Sequence, residues 1–148
     1  MLKFIHICLL ALLASVSAAQ AQSAVIDVKF RDFFASPIGP RGLQISQALR
    51  AADGERVRLT GYMVMQEDAP RGRFFLTPLP IRMSEHADGE ADDLPPATVA
   101  VEMPASDSAL PLPHTAGLLQ LTGVLRVGRH ELPDGRVVWV RLLLDPPI

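Results

Sequence analysis

Between residues 84 and 93 the chain reads SEHADGEADD, which sets five carboxylates (Glu85, Asp88, Glu90, Asp92 and Asp93) around one imidazole, His86. Hard divalent cations take several oxygens from a compact loop, and Gly89 offers the sharp turn that such a loop needs. A histidine beside carboxylates is also a ligand set for zinc or another transition ion. A divalent cation is therefore the one cofactor the sequence suggests, with Glu85, His86, Asp88, Glu90, Asp92 and Asp93 as ligands. The spacing matches no established metal motif. An EF-hand loop has glutamate six residues after its glycine, where this chain has Pro95, and no second histidine stands four positions after His86. Five mutually repelling carboxylates among Ala and Gly also describe a loop that stays solvated with no ligand at all.

A second set of residues points to anion or partner binding. Arg71, Arg73 and Arg82 flank Phe74-Phe75, and arginine grips carboxylate or phosphate through two parallel hydrogen bonds. Alternation sends the two phenylalanines to opposite faces, so at most one of them accompanies the arginines. The single tryptophan, Trp139, falls on the outward side of its strand with Val137, Arg141 and Leu143, while Tyr62 lies opposite an apolar strand face. Arg71, Arg73, Tyr62, Trp139 and Arg141 are the expected ligand or partner surface, suited to an envelope protein or a small anionic ligand.

Catalysis finds little in the chain. No G-x-S-x-G elbow, S-x-x-K pair or phosphate loop is present. His114 sits in a proline-rich stretch and His130 beside Arg129 and Glu131. The expectation is a binding or accessory module, not an enzyme. Metal handling through residues 85–93 is the alternative, and a hydrolase assembled from distant residues is the third reading.

These groups belong to a chain that begins like an export signal. Lys3 precedes an apolar run over residues 4–14, and residues 15–21 (SVSAAQA) are small up to the Ala19-Gln20-Ala21 site. That is the architecture of a secretory signal peptide, with cleavage after Ala21 and a periplasmic destination. The run is too short to span about 30 Å of hydrocarbon, and no transmembrane segment is expected after cleavage. The domain division is thus a signal over 1–21 and one β-rich domain over 22–148. The only cysteine, Cys8, leaves with the signal, so the exported chain has neither disulfides nor thiol chemistry and depends on its core. The 14 Lys and Arg against 16 Asp and Glu give a net charge of −2, and losing Lys3 makes the remainder more acidic. A chain that tracks phosphate backbones would be basic over one face, so nucleic acid is excluded as a partner.

Alternating apolar residues predict strands over most of the rest. Residues 24–34 (AVIDVKFRDFF) read as a short strand, 43–52 (LQISQALRAA) as a short helix with a glycine stop, and 55–65 (ERVRLTGYMVM) as a half-buried strand. RFFLT at 73–77 and ATVAVEM at 97–103 follow as strands, and 104–116 as an irregular crossing loop. Residues 118–127 and 135–144 form a hairpin across Pro133-Asp134-Gly135, where proline presets φ and glycine supplies φ > 0. Leu59-Thr60-Gly61 and Leu121-Thr122-Gly123 repeat in mid-strand, and a glycine there marks a bend or a close backbone approach. About five strands bent in this way predict a mainly β fold, a small antiparallel OB-like barrel or rolled sheet with one short N-terminal helix.

Over ERVRLTGYM and RFFLTPLPIRMSEHADGEADDLPPATVAV the chain resembles an uncharacterised bacterial family of small exported proteins. The shared features are a V-x-L-x-G-[YF]-M strand, an F-x-L strand ending at proline, and an acidic or cysteine-bearing loop before the next strand. The resemblance covers residues 54–144 and implies export and a β-rich, OB-like fold, with no known activity. Relatives with a cysteine pair in the loop imply a metal or redox site there; this chain has Met83, Ser84, Glu85 and His86 instead.

Overall fold

The computed structural model describes residues 24–83 and 94–146. The protein is mainly β: six strands, β1 (Ile26–Val28), β2 (Arg56–Met63), β3 (Arg73–Thr77), β4 (Val99–Glu102), β5 (Leu118–Glu131) and β6 (Val137–Leu144), form one sheet. Among the described residues one five-residue helix, α1 (Gln47–Ala51), and a single 3-10 turn at Phe30–Asp32 complete the elements. The sheet order is β1-β2-β3-β4-β6-β5, and β5 pairs again with β2, so five strands are linked in a circuit. The β1–β2 and β4–β6 pairs are parallel; the others are antiparallel. Among the described residues no helix is long and apolar enough to cross a membrane.

The alternation read along the chain places the core. Val57, Leu59 and Met63 of β2, Phe74 and Leu76 of β3, Val99 and Val101 of β4, Leu125 of β5, and Val140 and Leu142 of β6 meet in one cluster. Phe33, Leu49 and Ala52 enter it from the N-terminal segment. The two glycine repeats lie side by side, because Leu59 pairs with Leu121 and Val57 with Gly123. A Cβ at Gly61 would stand 2.8 Å from the Thr77 carbonyl oxygen, and one at Gly123 would run into the backbone of Leu143 and Leu144. Both glycines therefore mark close backbone approach, where the strand bends toward a neighbour.

The N-terminal region departs from expectation twice. The first strand covers only Ile26–Val28 and joins β2 as a sixth strand, with Ile26 half-exposed. The chain then coils so that Phe30 and Phe33 stack at 5.0 Å, which drives Phe33 into the core in place of an extended continuation. The helix is shorter than the predicted 43–52. Ile45 still bridges Phe34 in extended conformation, and helix begins only where the Ser46 hydroxyl accepts the Leu49 N–H at 3.0 Å.

Burial of β3 and β4 is more complete than a one-faced sheet requires. Phe75 and Ala100 point away from the main core yet are buried in a second cluster with Val64, Leu132 and Val138, under Ile81, Met83 and Leu94. Of the adjacent phenylalanines, neither reaches solvent: Phe74 is 6% and Phe75 4% exposed. The predicted hairpin is present and longer than the 118–127 strand suggested. The ladder slips between Val127 and His130 and then resumes at His130–Val138 and Glu131–Val137. Its turn closes through Leu132 N–H to the Arg136 carbonyl at 2.7 Å, with Gly135 at φ 83°.

Candidate functional site

The acidic residues Glu85, His86, Asp88, Glu90, Asp92 and Asp93 lie outside the described residues. The segments that carry the loop are placed: Met83 and Leu94 both pack on the second cluster, so its two ends are anchored over Phe75 and Ala100. Among the described residues no three His, Cys, Asp or Glu side chains gather as a metal site.

Of the five residues expected to form a binding surface, three share one face. Phe74, Val101, Val140 and Leu142 point into the core, so their strand neighbours Arg73, Glu102, Trp139 and Arg141 point outward. Arg73 pairs in register with Glu102, and Arg141 Nη1 donates to Glu102 Oε1 at 3.2 Å from the other side. Trp139 is 50% exposed on the same side of β6. Arg71 lies before β3, where Nη1 donates to the Ala109 carbonyl at 3.3 Å and ties down the proline-rich loop. Tyr62 is at the far end of β2, in a different setting.

That setting is a cavity of about 310 Å³. Tyr62, Met63 and Met65 supply one wall, Pro80, Ile81 and Arg82 a second, and His114, Ala116 and Gly117 a third. Local hydrogen bonds explain how three distant segments converge. Past the end of β2, Met65 donates to the Ile81 carbonyl at 2.9 Å and accepts from Met83 N–H at 2.8 Å, which zips residues 81–83 alongside. Thr77 Oγ1 donates to the Leu79 carbonyl at 2.8 Å and holds the turn through Pro78 and Pro80. On the third side, His114 Nε2 lies 3.2 Å from the Met63 carbonyl oxygen, and Thr115 N–H lies 3.5 Å from Met63 Sδ. Because a carbonyl only accepts, Nε2 carries the proton in that contact and Nδ1 is the ring nitrogen left over.

The lining is mostly apolar. Two thioethers, an isoleucine and a proline line the walls, and methionine adapts to irregular apolar shapes. Three polar groups interrupt them: the Tyr62 hydroxyl, the Arg82 guanidinium and the His114 ring. Arg82 is exposed and forms no ion pair among the described residues. No serine, threonine or cysteine nucleophile stands among the lining residues. Sequence reasoning found Tyr62 and Arg82 but gave no role to Met63, Met65, Ile81 or His114.

No family model matches the chain, and no curated protein matches it. Among solved structures it resembles a DUF3299 family protein from Pseudomonas aeruginosa PAO1, with a TM-score of 0.52 and 14% identity over 83% of this chain and 94% of that one. At that identity the likeness is one of fold. It is consistent with an uncharacterised family and does not test the strand motifs.

Proposed function

We propose that this chain is an exported, non-enzymatic binding module on an OB-type barrel, and that it takes a small ligand with an apolar body and an anionic group in the Tyr62–His114 cavity. The barrel reading draws on the circuit β2-β3-β4-β6-β5 returning to β2, with its single parallel pair at β4–β6. Numbered along the circuit, the strand order is 1-2-3-5-4-1, which supports an OB-type reading. Such barrels commonly bind ligands on the face of their second and third strands. Here the corresponding face, around Phe75 and Ala100, lies under Ile81, Met83 and Leu94. A ligand is therefore displaced toward the end of β2.

The observation that carries the reading is the cavity itself: a mostly apolar hollow of about 310 Å³ whose lining also includes Tyr62, Arg82 and His114. Small-molecule sites are of this kind, mostly apolar with a few placed polar groups that fix orientation. Arg82 would receive the anionic group and the methionines the apolar body.

Titration with 8-anilinonaphthalene sulfonate, which has that shape and charge, tests the reading. Saturable fluorescence enhancement is expected from the folded protein, about tenfold weaker in Arg82→Gln and abolished in Ala116→Trp, which fills the hollow. Both variants should keep a cooperative melt. Binding that is unsaturable, or indifferent to both substitutions, would remove the cavity as the ligand site. Calorimetry with calcium, manganese and zinc separates this reading from metal handling through residues 85–93.

A further inference from the structure

On the opposite arm of the molecule, β5 and β6 put two arginines directly across from each other: Arg126 pairs in register with Arg141. Both point outward, because their neighbours Leu125, Val140 and Leu142 face the core. Like charges opposite one another on antiparallel strands repel, their Cβ atoms standing about 5 Å apart. The nearby acids do not resolve this. Glu102 is held by Arg141 at 3.2 Å, Glu131 by Arg129 at 3.4 Å, and Asp53 Oδ1 accepts the Val127 N–H at 2.8 Å. The Arg126 side chain forms no hydrogen bond or ion pair among the described residues.

The ladder slip beside this pair adds more cationic groups. In a regular strand Arg126 and His130 would share a face while Arg129 turned away. The shift between Val127 and His130 breaks that rule. Arg126, Arg129, His130 and Arg141 all line one hollow of about 210 Å³ together with Asp53, whose Oδ1 is taken up by the Val127 N–H. Gly128, at φ 147°, meets nothing within 4 Å on its side-chain side, so the hollow stays open there.

We propose that this hollow binds a phosphate group. Three arginines and a histidine line the hollow, one of the arginines, Arg126, has no side-chain partner among the described residues, and arginine matches phosphate oxygens in paired hydrogen bonds. The bound group would sit between Arg126 and Arg141 and replace their repulsion with a shared counter-charge. Trp139, half-exposed on the same side of β6 and two residues from Arg141, supplies an adjacent reporter. This site is separate from the Tyr62–His114 cavity and shares none of its residues.

Trp139 fluorescence and the melting midpoint of the full chain, followed during titration with inorganic phosphate and during addition of vesicles, provide the test. Saturable change with millimolar phosphate identifies a free phosphate or phosphomonoester ligand. Binding to phosphatidylglycerol vesicles but not to phosphatidylcholine vesicles, with no phosphate response, identifies a lipid headgroup. In either case Arg126→Gln should weaken the response about tenfold, while Arg126→Lys retains part of it. Without ligand, Arg126→Gln should melt no lower than the parent, because it removes only a repelled surface charge. The proposal is overturned if neither phosphate nor phosphatidylglycerol gives a saturable response, if both vesicle types bind alike and phosphate gives no response, or if Arg126→Gln responds as the parent does.

Discussion

Replacing Gly123 by alanine tests the bend on which the sheet circuit depends. The added Cβ would run into the backbone of Leu143 and lie 3.0 Å from Leu144 Cα. These are main-chain atoms of β6, where Gly123 pairs with Leu144, so no rotamer change can make room. Overpacking of this kind costs about 1–3 kcal/mol, and a backbone obstacle puts it toward the upper end. The substitution also stiffens the unfolded chain, which returns about 0.4–1 kcal/mol. The net expectation is a loss of about 2 kcal/mol. For a domain of this size that lowers the melting midpoint by about 6–10 °C and the urea midpoint by about 1 M. Circular dichroism during heating and Trp139 fluorescence in urea would read both. Gly39→Ala is the control: nothing lies within 4 Å of its added Cβ and its φ is negative, so it should be neutral or slightly stabilising. A Gly123→Ala protein as stable as Gly39→Ala would refute the argument that strand proximity, and not flexibility, places this glycine.

Three further substitutions probe other parts of the scaffold. Leu142→Ala, at a fully buried position of β6, should destabilise by about 2–5 kcal/mol in urea unfolding, because the surrounding core can only partly collapse. Ser46→Ala removes the hydroxyl that accepts the Leu49 N–H and donates to the Asp32 carbonyl, and should cost about 1 kcal/mol by the same measurement. A double-mutant cycle of Arg141→Gln and Glu102→Gln should give a coupling of about 0.5–1 kcal/mol, since both side chains are still about a quarter exposed. A coupling near zero would mean that the outward face of β4 and β6 is not tied at that point.

The sequence by itself determined the β character, the strand positions after residue 54, the hairpin at Pro133-Asp134-Gly135 and the special standing of Gly61 and Gly123. These features are local: period-two burial and turn chemistry are written within a few neighbouring residues. It also marked Trp139 and Arg141 as outward-facing, because their alternation partners are apolar. Only the tertiary structure decided which strands pair. The parallel β4–β6 register, the addition of β1 as a sixth strand and the return of β5 to β2 join residues far apart in the chain. It alone covered Phe75 with Ile81, Met83 and Leu94, closed a cavity between residues 62–65, 80–82 and 114–117, and set Arg126 against Arg141. The physical reason is that alternation fixes which side of a strand a residue takes. What stands on that side depends on non-local pairing, which the chain's local pattern does not encode.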